Sequence, residues 1–290
     1  MIDGQTELYG VIGNPVQHSL SPIIHNGAFK RLGWNAVYLA FEVKNIEEAV
    51  RGIRGLGVRG VSVTIPFKTE VLPFLDQVEG LAKKIGAVNT IVNRQGRLIG
   101  YNTDCDGAVE ALDERMDLRG KRVVLLGAGG AARGIGFGLR ERGYPLIVVN
   151  RSKEKGQSLC KELGCDYLPI SSLVRMKAGE LEADILINAT SLGMYPRDGE
   201  TPVPKELLKK GMMVMDIVYE PLQTKLLREA KKKGCLTING LEMLVHQGVA
   251  QFMIWTGRKP EIGQIKKDLR RVLEREPTKT HSARLLMGKQ

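Results

Sequence analysis

Apolar positions along the chain follow two different periods, and strand-like and helix-like segments alternate almost throughout. In the first third, the segments "LYGVIG", "AVYLAFEV" and "GVSVTIP" have the short apolar runs typical of strands. The segments between them, "PIIHNGAFKRLG" and "NIEEAVRGIRGLG", have helical spacing, and we expect these helices to end at Gly33 and Gly57. The next segment, "AVNTIVNRQGRLIGYNTD", predicts two short strands around a turn at residues 93–96.

The middle third repeats this alternation with five continuous apolar runs, which are "KRVVLLG", "PLIVVN", "ADILINAT", "MMVMDIVY" and "CLTIN". Continuous apolar runs are typical of central parallel strands that are covered on both faces. The pattern therefore predicts an α/β fold with two domains and mainly parallel sheets. We place a first domain at residues 1–103 and a second at 104–238. The helical segment 239–290 is expected to pack back on the first domain.

The segment "KRVVLLGAGGAARGIGFGLRERG" contains the pattern Gly127-x-Gly129-x-x-Ala132 between a predicted strand and a predicted helix. The first glycine allows a tight turn, the second lets the backbone approach a pyrophosphate, and the small third residue lets helix and strand pack closely. The helix N-terminus then offers free N–H groups to the phosphates. We interpret this segment as a Rossmann dinucleotide-binding motif; the alternative is a glycine-rich turn without a ligand.

The next predicted strand indicates which dinucleotide binds. In a site for NAD, an acidic residue usually follows about 20 residues later and binds the ribose 2′-hydroxyl. Here "PLIVVNRSKEK" ends in Asn150, Arg151 and Ser152, with Lys153 and Lys155 close behind. These groups suit a 2′-phosphate, so we predict NADP rather than NAD. The alternative for Arg151 is an ordinary solvated surface charge.

Several polar residues of the first domain stand at predicted strand ends or helix starts. Ser21, with Ser19 before it, reads as an N-cap followed by proline, and two hydroxyls at a helix N-terminus can bind a carboxylate. Lys68, Asn89 and Asp104 add an ammonium, an amide and a carboxylate from three separate segments. This combination suits a polyhydroxylated substrate and proton transfer. Each residue alone could equally cap a helix or form a turn.

Composition reduces the number of functional classes that remain possible. The net charge is +11, and residues 258–290 hold ten Lys or Arg against four Asp or Glu. Aromatic residues make up only 5% of the chain, so we interpret the basic end as a solvated helix and tail rather than a nucleic-acid site. The four cysteines are scattered, which predicts no metal site and a reducing compartment. We expect a cytoplasmic protein without membrane contact, either a monomer or a homodimer.

Eight segments, taken in order, resemble the shikimate dehydrogenase family: "GNPVQHSLSP", "VTIPFK", "GAVNT", "NTD", "GAGGAARG", "NRS", "INATSLGM" and "NGLEMLVHQG". The resemblance covers nearly the whole chain. It implies an N-terminal α/β substrate domain, a Rossmann domain for NADP, and C-terminal helices that return to the first domain. It also implies reduction of 3-dehydroshikimate to shikimate with NADPH, a step of aromatic amino acid biosynthesis.

Matched by position, the resemblance implies roles for individual residues. Lys68 and Asp104 would form the catalytic pair and also contact the substrate. The other substrate contacts it implies are Ser19 and Ser21 at the carboxylate, Tyr219 nearby, and Thr64, Asn89 and Gln247 around the ring. The NADP contacts it implies are Gly127, Ala128, Gly129, Gly130, Ala131, Asn150, Arg151, Ser152, Lys155, Thr190, Ser191, Met194, Ile217 and Gly240.

Three positions depart from the commoner family pattern. Ser62 stands where asparagine is frequent, Cys105 where glycine is frequent, and Lys155 where an arginine often joins the 2′-phosphate site. Three other functions remain open at this point. The chain could be an NAD-linked quinate/shikimate dehydrogenase, a sensor that binds these ligands without turnover, or a protein whose basic C-terminus binds nucleic acid.

Overall fold

Two six-stranded sheets, one after the other along the chain, form the framework of the protein. The structure is a computed structural model, and it describes residues 2–275. The tail expected at the basic C-terminal end falls in residues 276–290, which lie outside the described residues.

The first sheet has the strand order β2-β1-β3-β5-β6-β4. Its strands are β1 (Glu7–Gly13), β2 (Ala36–Glu42), β3 (Gly60–Val63), β4 (Gln77–Val78), β5 (Thr90–Arg94) and β6 (Arg97–Tyr101). Three of the five strand pairings are parallel, and β5 pairs antiparallel with both β3 and β6. The predicted turn joins β5 to β6 through Gln95 and Gly96, both with positive φ. The two-residue strand β4 was not predicted.

The second sheet is parallel throughout, with the order β12-β11-β10-β7-β8-β9. Its strands are β7 (Val123–Leu126), β8 (Leu146–Asn150), β9 (Asp166–Pro169), β10 (Ile185–Asn188), β11 (Met213–Asp216) and β12 (Leu236–Ile238). This is the doubly wound order of a Rossmann fold, and its direction switches between β7 and β10. Ligands bind at the carboxyl ends of the strands beside such a switch point. The edge strand β9 was not predicted.

Ten α-helices lie within the described residues. They are α1 (Ser21–Arg31), α2 (Ile46–Gly55), α3 (Gly80–Ile85), α4 (Asp104–Asp113), α5 (Gly130–Glu141), α6 (Lys153–Leu163), α7 (Ile170–Arg175), α8 (Lys225–Lys232), α9 (Gly240–Thr256) and α10 (Ile262–Arg275). Within residues 2–275, we find no helix that is both long enough and apolar enough to cross a bilayer.

Both faces of the second sheet are buried, as its continuous apolar strands predict. Along β7, Val123 and Leu125 face one apolar cluster, and Val124 and Leu126 face another. Because successive strand residues point to opposite faces, a strand that is covered on both sides must be apolar at every position.

The C-terminal helices pack against the first part of the chain. Side chains of α9 and α10, including Val245 and Ile265, form an apolar cluster with Ile24 of α1. Helix α4 also lies against α9, with Gly107 so close to Gln247 that a Cβ at 107 would be 2.7 Å from the Gln247 Cβ. Helices α4 and α9 therefore lie side by side along the join between the two halves of the chain.

One local expectation was wrong. Ser21 does not cap helix α1: it is the first helical residue, and the N-cap residue is Leu20, whose side chain makes no cap hydrogen bond. Instead, Ser19 Oγ accepts a hydrogen bond of 3.3 Å from the backbone N–H of Ser21. The Ser21 hydroxyl is thus not used for capping, because the serine two positions earlier accepts the N–H of the first turn.

Candidate active site

Lys68 and Asp104, which follow strands β3 and β6 of the first sheet, form an ion pair. The Lys68 ammonium lies 2.5 Å from Asp104 Oδ2, and the two side chains are 19% and 6% exposed. The backbone of Lys68 is fixed by the buried Phe67 before it and by a hydrogen bond of 2.7 Å that Val88 N donates to the Lys68 carbonyl. Asp104 is the first residue of helix α4, where its negative charge interacts favourably with the positive end of the helix dipole.

Asn89 holds the other oxygen of this carboxylate. Its Nδ2 donates to Asp104 Oδ1 at 2.9 Å, and its Oδ1 accepts from the backbone N–H of Thr103 at 2.9 Å. Because a backbone N–H can only donate, this contact determines which way the Asn89 amide faces. Asn89 Nδ2 also lies 3.5 Å from Gln247 Oε1 of α9. The structure therefore brings Lys68, Asn89, Asp104 and Gln247 into one cluster.

Helix α5, which follows the glycine-rich motif, lies directly against this cluster. A Cβ on Gly130 would be 3.9 Å from Lys68 Cδ, and a Cβ on Gly134 would be 3.1 Å from Asp104 Cβ. The Lys68–Asp104 pair is thus adjacent to the N-terminal half of the predicted dinucleotide-binding helix.

The glycine-rich motif has the geometry that a phosphate site requires. Gly127 has φ of 116°, and a Cβ there would lie 3.0 Å from the Ala189 carbonyl oxygen. Gly129 is the N-cap of α5, and a Cβ at this position would meet no atom within 4 Å. The first turn of α5 contains Gly130 and Ala131, and Ala128 precedes Gly129. The space beside Gly129 is therefore open next to the first turn of α5, whose N–H groups have no partner within the helix, and this suits a pyrophosphate.

The predicted 2′-phosphate residues lie at the end of β8 and the start of α6. Asn150 Nδ2 donates to the Ser152 carbonyl at 2.8 Å, and Ser152 Oγ caps α6 by accepting from Lys155 N. Arg151 and the side chain of Lys155 are exposed. The structure adds a carboxylate that we had not considered, since Glu154 Oε2 accepts from Ser152 Oγ at 3.0 Å. The site therefore combines exposed cations with one anion.

The remaining predicted cofactor residues follow β10 and β11, on the same side of the second sheet. Thr190 is anchored because its N–H and hydroxyl both donate to Asn188 Oδ1, and exposed Ser191 and Met194 follow it. Gly240 is the first residue of α9 and lies very close to the backbone of Ile217, so that a Cβ on Gly240 would be 2.2 Å from the Ile217 carbonyl oxygen. Only glycine fits this contact between the end of β11 and helix α9.

The other four predicted substrate residues, Thr64, Tyr219, Ser19 and Ser21, are not part of this hydrogen-bonded cluster. Thr64 is half-buried just after β3, and its methyl group lies where a Cβ of Gly13 would be. Tyr219 is half-buried after β11, and burial raises its pKa. Among residues 2–275, none of these four side chains is hydrogen-bonded to the Lys68–Asp104 pair.

A second charged cluster lies between α4, α9 and α10. Glu114, Glu242 and His246 place their ligand atoms within 4.8 Å of one another, a spacing that could hold a metal ion. The Lys266 ammonium already occupies the position of a cation there, 2.7 Å from Glu242 and 3.1 Å from Glu114. We therefore interpret the cluster as an ion-pair network that ties the three helices together.

Comparison with known proteins gives three family matches in chain order. Residues 11–91 match the shikimate dehydrogenase substrate binding domain, residues 109–219 match shikimate/quinate 5-dehydrogenase, and residues 240–270 match the shikimate 5′-dehydrogenase C-terminal domain. The chain is 49% identical to a curated NADP⁺ shikimate dehydrogenase of Thermococcus kodakarensis, covering 92% of this chain and 97% of that one. The chain belongs to the shikimate dehydrogenase family.

Other members of the family agree with this assignment. A curated NADP⁺ shikimate dehydrogenase of Pyrococcus furiosus is 46% identical over 92% of this chain and 96% of its own length. A crystal structure of shikimate 5-dehydrogenase from Thermus thermophilus, in complex with NADP(H) and shikimate, superposes with a TM-score of 0.85. That structure is 38% identical to this chain and covers 92% of it and 99% of its own chain. The fold described above is thus the fold of this dehydrogenase family.

Two buried residues near the site had no role predicted from the sequence. Ser62 of β3 and Gln251 of α9 are hydrogen-bonded to each other at 2.8 Å, although they are 189 positions apart. The signal was available in each segment, because Ser62 stands between Val61 and Val63 in β3, and Gln251 stands between Ala250 and Phe252 in α9. Such positions usually mean a satisfied hydrogen-bond network.

Proposed function

We propose that this chain catalyses the reversible reduction of 3-dehydroshikimate to shikimate with NADPH, a step of aromatic amino acid biosynthesis. The several curated relatives that are 46–49% identical to the chain are named NADP⁺ shikimate dehydrogenases. The NAD-linked quinate/shikimate dehydrogenase is the less favoured alternative, because no acidic residue ends β8.

One observation carries the proposal. The Lys68–Asp104 pair is the proton-transfer group expected for ketone reduction, and Gly130 of the predicted phosphate-binding turn lies next to it. An acid and a dinucleotide site in such proximity suit a reaction in which a hydride and a proton reach neighbouring atoms of one carbonyl group.

Within this proposal, different polar side chains bind different parts of the substrate. The hydroxyls of Ser19 and Ser21, at the start of α1, bind the substrate carboxylate, with Tyr219 assisting. Thr64, Asn89, Asp104 and Gln247 bind the ring hydroxyls and orient the ring, and Lys68 contacts the reacting oxygen. The half-buried positions of Ser19, Thr64 and Gln247 support these roles, because such side chains can reach a ligand.

Different segments of the chain bind different parts of the cofactor. Gly127, Ala128, Gly129, Gly130 and Ala131 receive the pyrophosphate, and the open space at Gly129 supports this. Asn150, Arg151, Ser152 and Lys155 receive the 2′-phosphate. Thr190, Ser191, Met194, Ile217 and Gly240 line the nicotinamide end.

Bound NADPH supplies the hydride, and the chain supplies the proton. Lys68, as an ammonium, donates a proton to the oxygen of the ketone as negative charge develops there. Asp104 keeps the ammonium oriented with Oδ2, while Asn89 keeps the carboxylate oriented with its own donor to Oδ1. In the reverse direction, neutral Lys68 takes the hydroxyl proton. Lys68 is 19% exposed, so water can restore its protonation after each turnover.

The remaining parts of the proposal concern organisation. We assign residues 1–103 and 239–290 to the substrate domain and residues 104–238 to the NADP domain. We assign the protein to the cytoplasm as a monomer or homodimer that acts on a small molecule and binds neither nucleic acid nor membrane.

The test is an assay of absorbance at 340 nm with purified protein. Shikimate and quinate are each combined with NADP and with NAD. We expect shikimate-dependent reduction of NADP to be the fastest of the four reactions. Absence of this activity would refute the proposed function, and faster turnover with quinate and NAD would select the alternative.

A further inference from the structure

A chain of buried side-chain hydrogen bonds runs from strand β2 through helix α9 to the candidate active site. Tyr38 Oη lies 2.6 Å from Ser62 Oγ, and Ser62 Oγ lies 2.8 Å from Gln251 Oε1. Gln251 Nε2 lies 3.0 Å from Thr90 Oγ1, which lies 2.7 Å from Asn89 Oδ1. All five residues are at most 5% exposed. We call them the buried relay.

The direction of each hydrogen bond in the relay follows from contacts with the main chain. Gln251 Nε2 also donates to the Asn89 carbonyl at 3.0 Å, and a carbonyl can only accept. Gln251 Oε1 therefore faces Ser62 and must accept the Ser62 proton. Because the Ser62 hydroxyl has no second proton, Tyr38 must donate to Ser62.

The other end of the relay is fixed in the same way. The backbone N–H of Thr103 donates to Asn89 Oδ1, so Asn89 Nδ2 must face Asp104 Oδ1. Asp104 Oδ2 is left for the Lys68 ammonium. Each proton in the relay thus has one possible position, and the relay ends on the carboxylate that orients Lys68.

We propose that Ser62 and Gln251 are positioning residues for the reaction, which hold Asn89 and, through it, the Asp104 carboxylate in the orientation that Lys68 requires. This inference rests on the proposed function. Neither residue touches the Lys68–Asp104 pair, and both act through the side chain and carbonyl of Asn89. Gln251 performs this function from α9, so the C-terminal part of the chain sets the geometry of a site on the first sheet.

The chemistry of position 62 follows from the relay. The side chain there must offer one acceptor to Tyr38 and one donor to Gln251. A serine hydroxyl does both with one atom, and an asparagine amide does both with two atoms. Alanine does neither, and it leaves the Tyr38 hydroxyl and Gln251 Oε1 buried without partners. This accounts for serine at a position where the resemblance led us to expect asparagine.

Tyr38 connects the relay to the opposite end of the proposed substrate. Burial raises the pKa of Tyr38, and the Ser21 side chain beside the phenol acts in the opposite direction. Because the Tyr38 proton is used on Ser62, Ser21 would be the donor in any hydrogen bond between these two hydroxyls. Loss of the Tyr38 hydroxyl therefore affects Ser21, whereas loss of the Ser62 hydroxyl affects Gln251 and Asn89.

The test compares three single variants by steady-state kinetics with shikimate and NADP. We expect Ser62→Ala to lower kcat about tenfold with less than a threefold change in the KM for shikimate, and Ser62→Asn to retain most of kcat. We expect Tyr38→Phe to change KM by more than it changes kcat. Thr256→Val is the control, because it removes a hydroxyl of α9 that bonds to the Phe252 carbonyl and the Arg258 backbone N–H, neither of which belongs to the relay.

A double variant distinguishes positioning from general destabilisation. If Ser62 acts through the Lys68–Asp104 pair, Ser62→Ala lowers kcat by less than twofold in the Lys68→Ala protein. If the tenfold loss persists in that background, the inference is overturned. It is also overturned if the wild type is active and Ser62→Ala matches the control, or if Ser62→Asn is as slow as Ser62→Ala. If Ser62→Ala does not fold, the Ser62→Asn and Tyr38→Phe results decide. An inactive wild type refutes the proposed function itself.

Discussion

The sulfur of Cys105 fills the space above Gly138, at the contact between helices α4 and α5. A Cβ on Gly138 would lie 1.8 Å from Cys105 Sγ and 2.8 Å from its Cβ. Cys105 is the residue immediately after Asp104, and it is 1% exposed. The cysteine that departs from the commoner glycine is therefore accommodated by a glycine on the facing helix.

We expect Gly138→Ala to lower the free energy of unfolding by about 1–3 kcal/mol, because the added methyl group overpacks this contact. In a Cys105→Gly background, the same substitution should be neutral or stabilising by up to about 1 kcal/mol, since alanine favours helix more than glycine does. Urea denaturation of the four proteins measures both values. Equal effects of Gly138→Ala in the two backgrounds would show that Cys105 and Gly138 are not coupled.

We expect Lys68→Ala to lower kcat by about 10²–10⁴, the usual contribution of positioned acid–base catalysis, with little change in the KM for shikimate. The matched control is Lys84→Ala, which removes an exposed lysine paired with Glu141 and should leave both constants unchanged. A normal kcat with a raised KM would make Lys68 a binding residue.

We expect Arg151→Ala to raise the KM for NADP about 10- to 100-fold and to leave the KM for NAD nearly unchanged, because a charge-assisted hydrogen bond to the 2′-phosphate contributes about 1.5–3 kcal/mol. Glu154→Gln should lower the KM for NADP severalfold, since it removes the carboxylate next to Ser152. Lys161→Ala, at the far end of α6, is the control. Equal losses with both cofactors would place Arg151 outside the 2′-phosphate site.

Asp216 should make the protein less stable as the pH rises. Burial raises its pKa from 3.8 to about 6, although Thr224, Val218 and Asn188 donate hydrogen bonds to it. A carboxyl with a raised pKa in the folded state contributes stability that is complete below pH 3.8 and is lost as the pH rises through about 6. We expect the free energy of unfolding of the wild type, relative to Asp216→Asn, to fall by about 1 kcal/mol between pH 5 and pH 7. Urea denaturation at both pH values checks this, and parallel changes in the two proteins would contradict it.

Lys266 should stabilise the contact between α10, α4 and α9. We expect Lys266→Met to lower the free energy of unfolding by about 2 kcal/mol at pH 7, because the largely buried Glu242 loses its partner. Lys267→Met, at an exposed neighbouring position, is the control.

The same ion-pair network predicts a pH window. Burial opposes both charges, but the mutual ion pairs prevail, so the pKa of Lys266 is raised above 10.5 and that of Glu114 is lowered below 4.5. The contribution of Lys266 is therefore lost as the pH rises above 10.5, and that of Glu114 is lost as the pH falls below 4.5. The unfolding temperatures of the wild type and Lys266→Met should therefore differ most between pH 4.5 and pH 10.5.

Most of the framework was predictable because it depends on local patterns. The apolar runs of β1, β3 and β7 were recognisable, and the Gly127-x-Gly129-x-x-Ala132 motif identified the start of α5. The edge strands β4 and β9 were missed, since Gln77–Val78 is only two residues long and Asp166–Pro169 has no apolar alternation. Strands at a sheet edge are formed by pairing with a neighbour, and a single segment does not carry that information.

Individual residues of the candidate site could be named from the sequence, but their geometry could not be predicted. Lys68, Asn89 and Asp104 were each recognisable as polar residues at strand ends, and the resemblance supplied their roles. The relay through Ser62 and Gln251 was not predictable, because it joins positions 189 residues apart and depends on how α9 packs against β3. The N-cap assignment of Ser21 failed for a smaller reason: a one-residue shift of the helix start is decided by backbone angles.

The contact between Gly134 and Asp104 has a consequence for engineering this scaffold. Helix α5, which would hold the cofactor, lies directly against the Asp104 side chain, because Gly134 has no side chain to separate the two. A library that varies the inner face of α5 to change cofactor preference would therefore also disturb the Lys68–Asp104 pair. Variation confined to the exposed residues at the start of α6 would leave this pair untouched, so cofactor preference is better varied there.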